Sequence, residues 1–422
     1  MLDPVNPRFP LAHSLNKVPF ILQIVIGLII GIVIALVYPD DKVILPTIGG
    51  LFVKALKSVA PILVFVLVSA AIARHRKGAQ TNMRPIIVIY LVSMALSATL
   101  ALVMSYIFPS NFAILADAGD NLAAPQGISE VLLNFINQAI DNPFTAVMNA
   151  NYIAILLWAI ALGLMFRAAG ETTKVVLEDL SQSITGVVRI VIRFAPLGVM
   201  GLVYNSCTAE GGFSNLLSYV HVICVLLGTM FFIAFVLNAI IVFVVTHENP
   251  YPLIFTTITR SAVTAFFTRS SAANLPVNLA LCEELKLPRE SYSISIPLGA
   301  TINMSGAAVT IVVLTMAAVH TLGIQVDFAS ALLMCIASVL CACGASGVAG
   351  GSLMLIPLAC SIFGINNDIA MQVVGIGFII GVLQDSTETA LNSSTDVLFT
   401  AAACKRAERL KKAQEAKAAK QA

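Results

Sequence analysis

The stretch VLQDSTETALNSSTD occupies residues 382–396, between the apolar runs VVGIGFIIG (373–381) and VLFTAAA (397–403). Asp385, Glu388 and Asp396 therefore sit inside what otherwise reads as a membrane helix. Hydrocarbon penalises each ionised side chain at the centre of a span by about 2.5–3.5 kcal/mol. Positions 385, 388, 389, 392 and 396 recur at i, i+3, i+4, i+7 and i+11. At about 100° per residue they share one stripe of roughly 100°. Asp385, Glu388, Thr389, Asn392 and Asp396 form that stripe, and Leu391, Val397 and Leu398 lie opposite. A polar stripe on a spanning helix faces protein or a water-filled cavity, and its acids are read first as functional. The plainer alternative is a helix held by internal salt bridges. Partners for that are few, because no Lys or Arg occurs from 290 to 404. Arg269 and bound cations are the expected counter-charges.

The rest of the chain agrees with a membrane setting. Of 422 residues, 58% are hydrophobic and 11% charged, against about 25% charged in soluble domains. The mean hydropathy is +0.93. No stretch reads as a cleaved signal peptide, since the first apolar run begins near Pro19 and is too long. The eight cysteines lie mostly in apolar runs without metal-ligand spacing and read as small buried apolar residues. Apolar runs long enough to span cover 18–38, 46–73, 85–108, 143–166, 175–206, 215–246, 291–322 and 368–403. Two more apolar segments, 252–283 and 326–363, are interrupted by Gly, Ser and Pro. Basic residues cluster at 74–84 (Arg74, Arg76, Lys77, Arg84), 167–174, 260–289 and 405–420. Eight spans, with the two interrupted segments as non-crossing hairpins, put all these clusters on one side, the cytoplasmic one by the positive-inside rule. Both termini are then cytoplasmic. Lys42, Lys54, Lys57, Arg189 and Arg193 fit this scheme less well. The basic tail from Lys405 is expected to be a solvated helix or disordered, with contact to anionic lipid as the alternative.

Three segments carry backbone breaks. TAFFTRSSAANLPVN (264–278) is expected to break at Arg269-Ser270-Ser271 and at Pro276. CACGASGVAGGSLMLIP (341–357) carries Gly344, Gly347, Gly350 and Gly351. PLGATINMSGAAV (297–309) has Pro297 and Gly299 to bend it, and Asn303 as an oxygen ligand; Met304 reads as core. Irregular backbone at membrane depth is tolerated only inside protein or along a cavity. Two broken segments facing a polar stripe are the layout of a midplane transport site, where helix N-termini face anions and free carbonyls face cations. Ordinary helices with small residues for packing are the alternative.

Together TRSSAANLP (268–276), GATINMSG (299–306), GASGVAGGS (344–352) and DSTETALNSSTD (385–396) resemble the four signature segments of the dicarboxylate/amino acid:cation symporters, the glutamate-transporter-like family. The resemblance covers most of the chain in the same order. It implies an all-α polytopic membrane protein of eight transmembrane helices plus two re-entrant helical hairpins. It also implies a homotrimer in a lipid bilayer, a small amino acid substrate, co-transported sodium, and no nucleic-acid partner. Residues 1–73 and 111–210 would form the scaffold; 74–110 and 211–404 would form the mobile transport domain, followed by the cytoplasmic tail 405–422. By the same resemblance Asp385 binds the substrate ammonium, while Ser271 and the amides of both hairpins hold its carboxylate. Arg269, Ser270, Gly347, Glu388, Thr389 and Asn392 complete the substrate site. One sodium is held by carbonyls of Gly299, Asn303 and Asn392 with the Asp396 carboxylate. Another is held by carbonyls of Thr301, Ala342, Cys343 and Ala345. A hard cation wants several oxygens, and one carboxylate cancels its charge in a dry site.

Departures from the family pattern point to the bacterial sodium:serine/threonine symporter branch, in the inner (plasma) membrane. Members with acidic substrates carry Arg where this chain has Glu388. Like charges meeting in a desolvated site are penalised by several kcal/mol, so aspartate and glutamate are expected to be rejected. A hydroxyl on the substrate would instead donate to Glu388 or Thr389; pairing of Glu388 with Arg269 is the alternative. An extra sodium site in several members is expected to be weak or absent, because Ser305 and the Ser93-Met94 pair stand at its positions. Ala349 replaces a proline common in the second hairpin, with no functional account. The chain is not expected to be an enzyme. Its rivals are a proton-coupled neutral amino acid transporter, an intramembrane protease and a passive channel. The protease reading suffers because all three acids lie on one helix, and because only His221 and His320 lie in or near spans.

Overall fold

The computed structural model describes residues 20–39, 44–73, 83–112, 133, 136–209, 212, 214–343 and 350–421. The described residues contain helices and turns and no strand. In chain order the helices are α1 (Phe20–Val37), α2 (Ile44–Ala73) and α3 (Met83–Ile107), then, after a short helix Pro143–Met148, α4 (Tyr152–Phe166), α5 (Glu171–Arg193) and α6 (Ala195–Thr208). Next, α7 runs from Ser214–Phe232 through a π turn, Ile233–Leu237, into Asn238–Thr246. Hairpin A consists of α8 and α9. The first is Tyr251–Thr257, a π turn Ile258–Ala262 and Val263–Thr268; the second is Ser271–Glu284. Helices α10 (Arg289–Ile302) and α11 (Ser305–Thr321) share one span with a break. Hairpin B runs from α12 (Phe328–Ala342) to a 3-10 turn, Leu353–Leu355, and α13 (Ile356–Ile362). Last is α14 (Asn367–Gln421).

The two spans that carry polar breaks or acids lie at the centre. The most apolar stretch of Arg289–Thr321 is 94% buried and that of Asn367–Lys412 is 83% buried, against 28% for Leu216–Thr246. Polar side chains at membrane depth need protein around them, and this order of burial supplies it. Helix α14 packs on α7, α8, α9, α10, α11 and α13, and α3 packs on α11 and α12. A second group forms from α1 on α6, and α2 on α4, α5 and α6. The α1–α6 contact is close: a Cβ added at Gly27 would sit 2.2 Å from the Pro196 carbonyl oxygen, and one at Gly31 2.5 Å from that of Met200. Without side chains there, the two backbones meet directly.

Several boundaries differ from the sequence expectation. All eight expected spans appear as helical segments. Among the described residues, however, five helices are long and apolar enough to cross a membrane, or six if one bent pair counts as a span. The run 143–166 is divided at Asn149–Asn151: Ala150 adopts φ 52°, and Asn151 caps α4 through its side chain. The run 175–206 bends by 51° between α5 and α6, with Pro196 in the first turn of α6. Helix α5 carries Glu171, Lys174, Glu178, Asp179, Arg189 and Arg193, so it is no uniform apolar rod. Pro276 does not break hairpin A, because α9 runs through it. Pro297 and Gly299 likewise lie within α10; the interruption falls at Asn303–Met304. The tail is the continuation of α14, and its first turns are fastened to the end of α7. Lys405 Nζ meets Glu248 at 2.8 Å and Arg409 donates to the Thr246 carbonyl at 2.7 Å. Of the cysteines, Cys224 is exposed and Cys343 half-buried; the other six are buried. Arg74, Arg76, Lys77, Ala345, Gly347 and Ala349 lie outside the described residues.

Hairpin B starts from a built cap. Asp327 accepts from the Ala329 and Ser330 amides, both at 3.0 Å, and from the Ser330 hydroxyl at 2.6 Å. The Ser330 hydroxyl and amide hold the Asp327 carboxyl below its ordinary range. The cap is therefore present above the ordinary carboxylate pKa and is lost as pH falls through the lowered folded value. Asp327→Ala is expected to remove about 1 kcal/mol of local stability. Faster hydrogen exchange over the first turn of α12 is the readout, with Asp327→Asn nearly unaffected; equal protection in both variants would contradict the cap.

Candidate functional site

All five residues of the polar stripe on α14 are buried: Asp385, Glu388, Thr389, Asn392 and Asp396. Leu391, Val397 and Leu398 on the opposite side are buried as well, while Thr387 and Ala390 are half-buried. The three acids are satisfied in three different ways.

Asp385 takes the guanidinium. Its Oδ2 accepts from Arg269 Nε at 2.6 Å, and its Oδ1 accepts from the Gly350 amide at 3.2 Å. Arg269 ends α8 at φ 50°, ψ 35°, in the left-handed region, where a residue with a side chain is uncommon and held by its surroundings. That turn projects the guanidinium from the tip of hairpin A toward α14. Ser270 caps α9, its Oγ accepting from the Ala273 amide at 3.2 Å, while Ser271 is buried at the first position of the helix. A 14-residue helix thus begins at the site, and its first amides lack intrahelical partners.

Glu388 takes neutral donors, and it is not paired with Arg269. Its Oε2 accepts from Thr310 Oγ1 at 2.7 Å, Ser352 Oγ at 2.8 Å and Gln384 Nε2 at 2.5 Å. Three elements, α11, hairpin B and α14 itself, converge on one carboxylate oxygen. Thr310, Ser352 and Gln384 escaped the sequence reading. Gln384 could have been found, since it lies one helical turn before Glu388 and shares its face. Thr310 and Ser352 pair across helices, which spacing along one chain does not reveal.

Asp396 takes an amide on one side only. Asn303 Nδ2 donates to Asp396 Oδ1 at 2.9 Å and lies 2.9 Å from Thr395 Oγ1. The other oxygen, Asp396 Oδ2, is buried without a hydrogen-bond partner, and so is Asn303 Oδ1. A buried, ionised oxygen with no donor is strongly penalised, and two orphaned oxygens on facing side chains suit a cation. Backbone comes close here too: a Cβ on Gly299 would lie 2.5 Å from Asp396 Oδ1. Tyr90, on α3 and also missed by the sequence reading, stands behind this corner with its hydroxyl 3.2 Å from the Asp396 carbonyl oxygen and 3.1 Å from Thr400 Oγ1. Asn392 closes the α10–α11 break, its Oδ1 accepting from the Gly306 amide at 2.7 Å and its Nδ2 donating to Met304 Sδ at 3.4 Å.

A second group of expected cation ligands sits at two helix C-termini. Thr301 is in the last turn of α10, and Ala342 and Cys343 end α12. Cys343 Sγ donates to the Ile302 carbonyl at 3.5 Å, which joins the two ends. The last carbonyls of a helix lack intrahelical donors and carry the negative end of its dipole, so the pairing presents oxygens to a cation. At the positions of the extra sodium site, Ser93 Oγ donates to the Tyr90 carbonyl at 2.9 Å, and Ser305 Oγ is buried without a partner.

The space beside Asp385 is small, a cavity of ≈ 10 Å³ lined by Arg269, Gly350, Leu353, Phe378, Gln384 and Asp385, with Phe20, Ile24 and Ile192 among the residues that cover it. A larger cavity, ≈ 710 Å³, lies between α2, α6 and the start of α14 around Lys54, Lys57 and Asp368, and contains none of the site residues. Hairpin A is fixed to α14 by a buried polar cluster. Asn274 Nδ2 donates to Ser393 Oγ at 2.8 Å, Asn278 Nδ2 donates to the Ser393 carbonyl at 2.9 Å, and Ser261 Oγ donates to Asn278 Oδ1 at 2.5 Å. Ser261 lies on the π turn of α8, which brings it into line with α9.

A family model of the sodium:dicarboxylate symporter family matches residues 20–406. The chain belongs to that family. It is accordingly a multi-pass membrane transporter and not an enzyme, and the family's reaction is sodium-coupled symport of dicarboxylates or amino acids.

The hairpin A cluster gives a structural test. Asn278→Ala strips a donor and an acceptor from buried partners, which typically costs about 1–3 kcal/mol. A lowered unfolding temperature of the purified protein is the expected result; an unchanged one would mean that hairpin A is held by packing alone.

Proposed function

As a member of the sodium:dicarboxylate symporter family, we propose, this protein imports small neutral hydroxy amino acids, serine and threonine, together with sodium by alternating access. One observation carries the choice of a neutral substrate: Arg269 is already matched by Asp385, and Glu388 faces only neutral donors. Among the described residues of the site no second cation is available for a side-chain carboxylate, and Glu388 would repel one. A substrate hydroxyl, in contrast, can donate to Glu388 beside the buried Thr389. A site built around a hydroxyl discriminates strongly against analogues lacking it.

In this reading Asp385 binds the substrate ammonium. Arg269, Ser271 and the amides at the start of α9 bind its carboxylate, together with Gly347 of hairpin B. Ser270 acts mainly as the cap that shapes this turn, and Asn392 links substrate and cation ligands. One sodium is bound by Asp396 Oδ2 and Asn303 with carbonyls of Gly299 and Asn392. Another is bound by Thr301, Ala342, Cys343 and Ala345. The orphaned Asp396 and Asn303 oxygens support the first, and the paired C-termini of α10 and α12 support the second. Sodium moving inward gains about 2.3 kcal/mol per 100 mV. Coupling requires that sodium favour the substrate-competent state over the others.

Residues 74–110 and 211–404 are the mobile unit in this proposal, and 1–73 with 111–210 the scaffold of a homotrimer in the bacterial inner membrane with both termini cytoplasmic. The packing of α3 and α7–α14 about one polar centre, with α1, α2 and α4–α6 packed chiefly on one another and touching α7, α14 and hairpin B, supports the division.

Asp396→Asn is expected to raise the sodium concentration for half-maximal serine uptake at least about tenfold, equivalent to roughly 1.4 kcal/mol; unchanged sodium activation would remove Asp396 from the cation site. Glu388→Arg is expected to abolish serine uptake and to confer uptake of aspartate. Serine uptake that survives this reversal of charge would make Glu388 a bystander.

A further inference from the structure

We infer that the Arg269–Asp385 pair is a built-in replacement for a bound amino acid: it opens to admit a zwitterion between its halves and re-forms when the zwitterion leaves, which lets the transport site cross the membrane unloaded. The inference rests on the proposed substrate reading and adds the return half of the cycle to it.

The two partners come from different elements, the tip of hairpin A and α14. Their side chains are 10% and 5% exposed, and Nε and Oδ2 are 2.6 Å apart. The Gly350 amide of hairpin B donates to the other oxygen of Asp385. Both hairpins therefore meet on one carboxylate. The adjoining cavity, ≈ 10 Å³, holds no more than about one water and no amino acid, so a substrate has to part the pair. An α-amino acid carries an ammonium and a carboxylate on neighbouring atoms. Placed between the partners, it gives Asp385 an ammonium and Arg269 a carboxylate. Two ion pairs then stand where one stood, and the net charge of the site is the same. A lone amine or a lone carboxylic acid would leave one partner unmatched.

The two losses are unequal. A substrate carboxylate that loses Arg269 still has Ser271 and the first amides of α9. Asp385 without substrate has no other cation within the described site. Glu388 is satisfied by three neutral donors, and Asp396 has Asn303. An unpaired carboxylate at membrane depth is strongly disfavoured. A symporter that accumulates its substrate has to return unloaded once per cycle, whereas exchange of internal for external substrate needs no unloaded crossing. Arg269 is thus required most for the unloaded step.

Arg269→Gln, reconstituted in liposomes, separates the steps. At saturating serine, sodium-driven net uptake into serine-free vesicles is compared with serine–serine exchange at equal sodium on both sides. The variant is expected to bind serine more weakly in both modes, but the ratio of net uptake to exchange is expected to drop at least tenfold, and Arg269→Lys is expected to restore part of that ratio. Equal loss in the two modes would overturn the inference and leave Arg269 a substrate ligand only. A readout independent of the substrate is the rate at which labels on α4 and on the tail of α14 exchange between distances with sodium but no amino acid present. That rate is expected to fall at least tenfold in Arg269→Gln. A rate equal to wild type would overturn the inference whatever the substrate is; wild-type protein that moves no serine, yet shows the slowed rate on substitution, would overturn only the choice of serine.

Discussion

Three carboxylates buried in the middle of a membrane protein are the constraint from which the rest of this structure follows. Each would be excluded from hydrocarbon alone, and each is retained by a different device. Asp385 is met by a guanidinium and an amide, Glu388 by three neutral donors on one oxygen, and Asp396 by one amide with its second oxygen left without a donor. Thr310 and Gln384 donate from continuous helices, but Arg269, Asn303, Gly350 and Ser352 stand at helix interruptions. The chain makes these by breaking helices at Arg269–Ser270 and Asn303–Met304 and by turning hairpin B between α12 and α13. Interrupted backbone in turn has to be enclosed by protein, which is why α10, α11 and α14 occupy the centre and the uniformly apolar helices the outside.

The interruptions are not equivalent. Helix α9 begins at the site, with the positive end of its dipole there; α10 and α12 end there, with the negative ends of theirs. Hairpin A is fastened to α14 through Ser261, Asn274, Asn278 and Ser393, whereas hairpin B reaches the same helix through the Gly350 amide and the Ser352 hydroxyl. Both of the latter contacts end on carboxylates. Whatever alters the partners of Asp385 or Glu388 is therefore felt by hairpin B; in the proposed transport cycle this is the route from substrate occupancy to closure.

Much of this was legible in the sequence. The stripe from Asp385 to Asp396 follows from helical periodicity, and the break at Arg269 and the presence of one within 297–309 follow from polar and glycine-rich runs in apolar segments. Proline misled twice: α9 and α10 continue through Pro276 and Pro297. Tightly enclosed helices tolerate a proline when neighbouring groups take up the freed backbone. Span lengths were overestimated where an apolar run hides a turn, as at Ala150 and before Pro196. Composition does not register a single left-handed residue. The partners of the acids were the least legible part. Thr310, Ser352 and Tyr90 are ordinary small polar or aromatic residues in apolar runs, and only the packing of separate helices brings them to the acids. The placing of Arg269 against Asp385, with Glu388 left to neutral donors, is likewise a property of the assembled fold.

Uptake of labelled serine into proteoliposomes of the purified protein tests the central claim most directly, with inward gradients of sodium, potassium or choline compared and excess unlabelled aspartate present in a parallel set. The account predicts concentrative uptake with sodium alone, undiminished by aspartate. Uptake that ignores sodium and follows a pH gradient, or that aspartate suppresses, would contradict it, because the orphaned oxygen of Asp396 would then not be a sodium ligand, or Glu388 would not exclude acidic substrates.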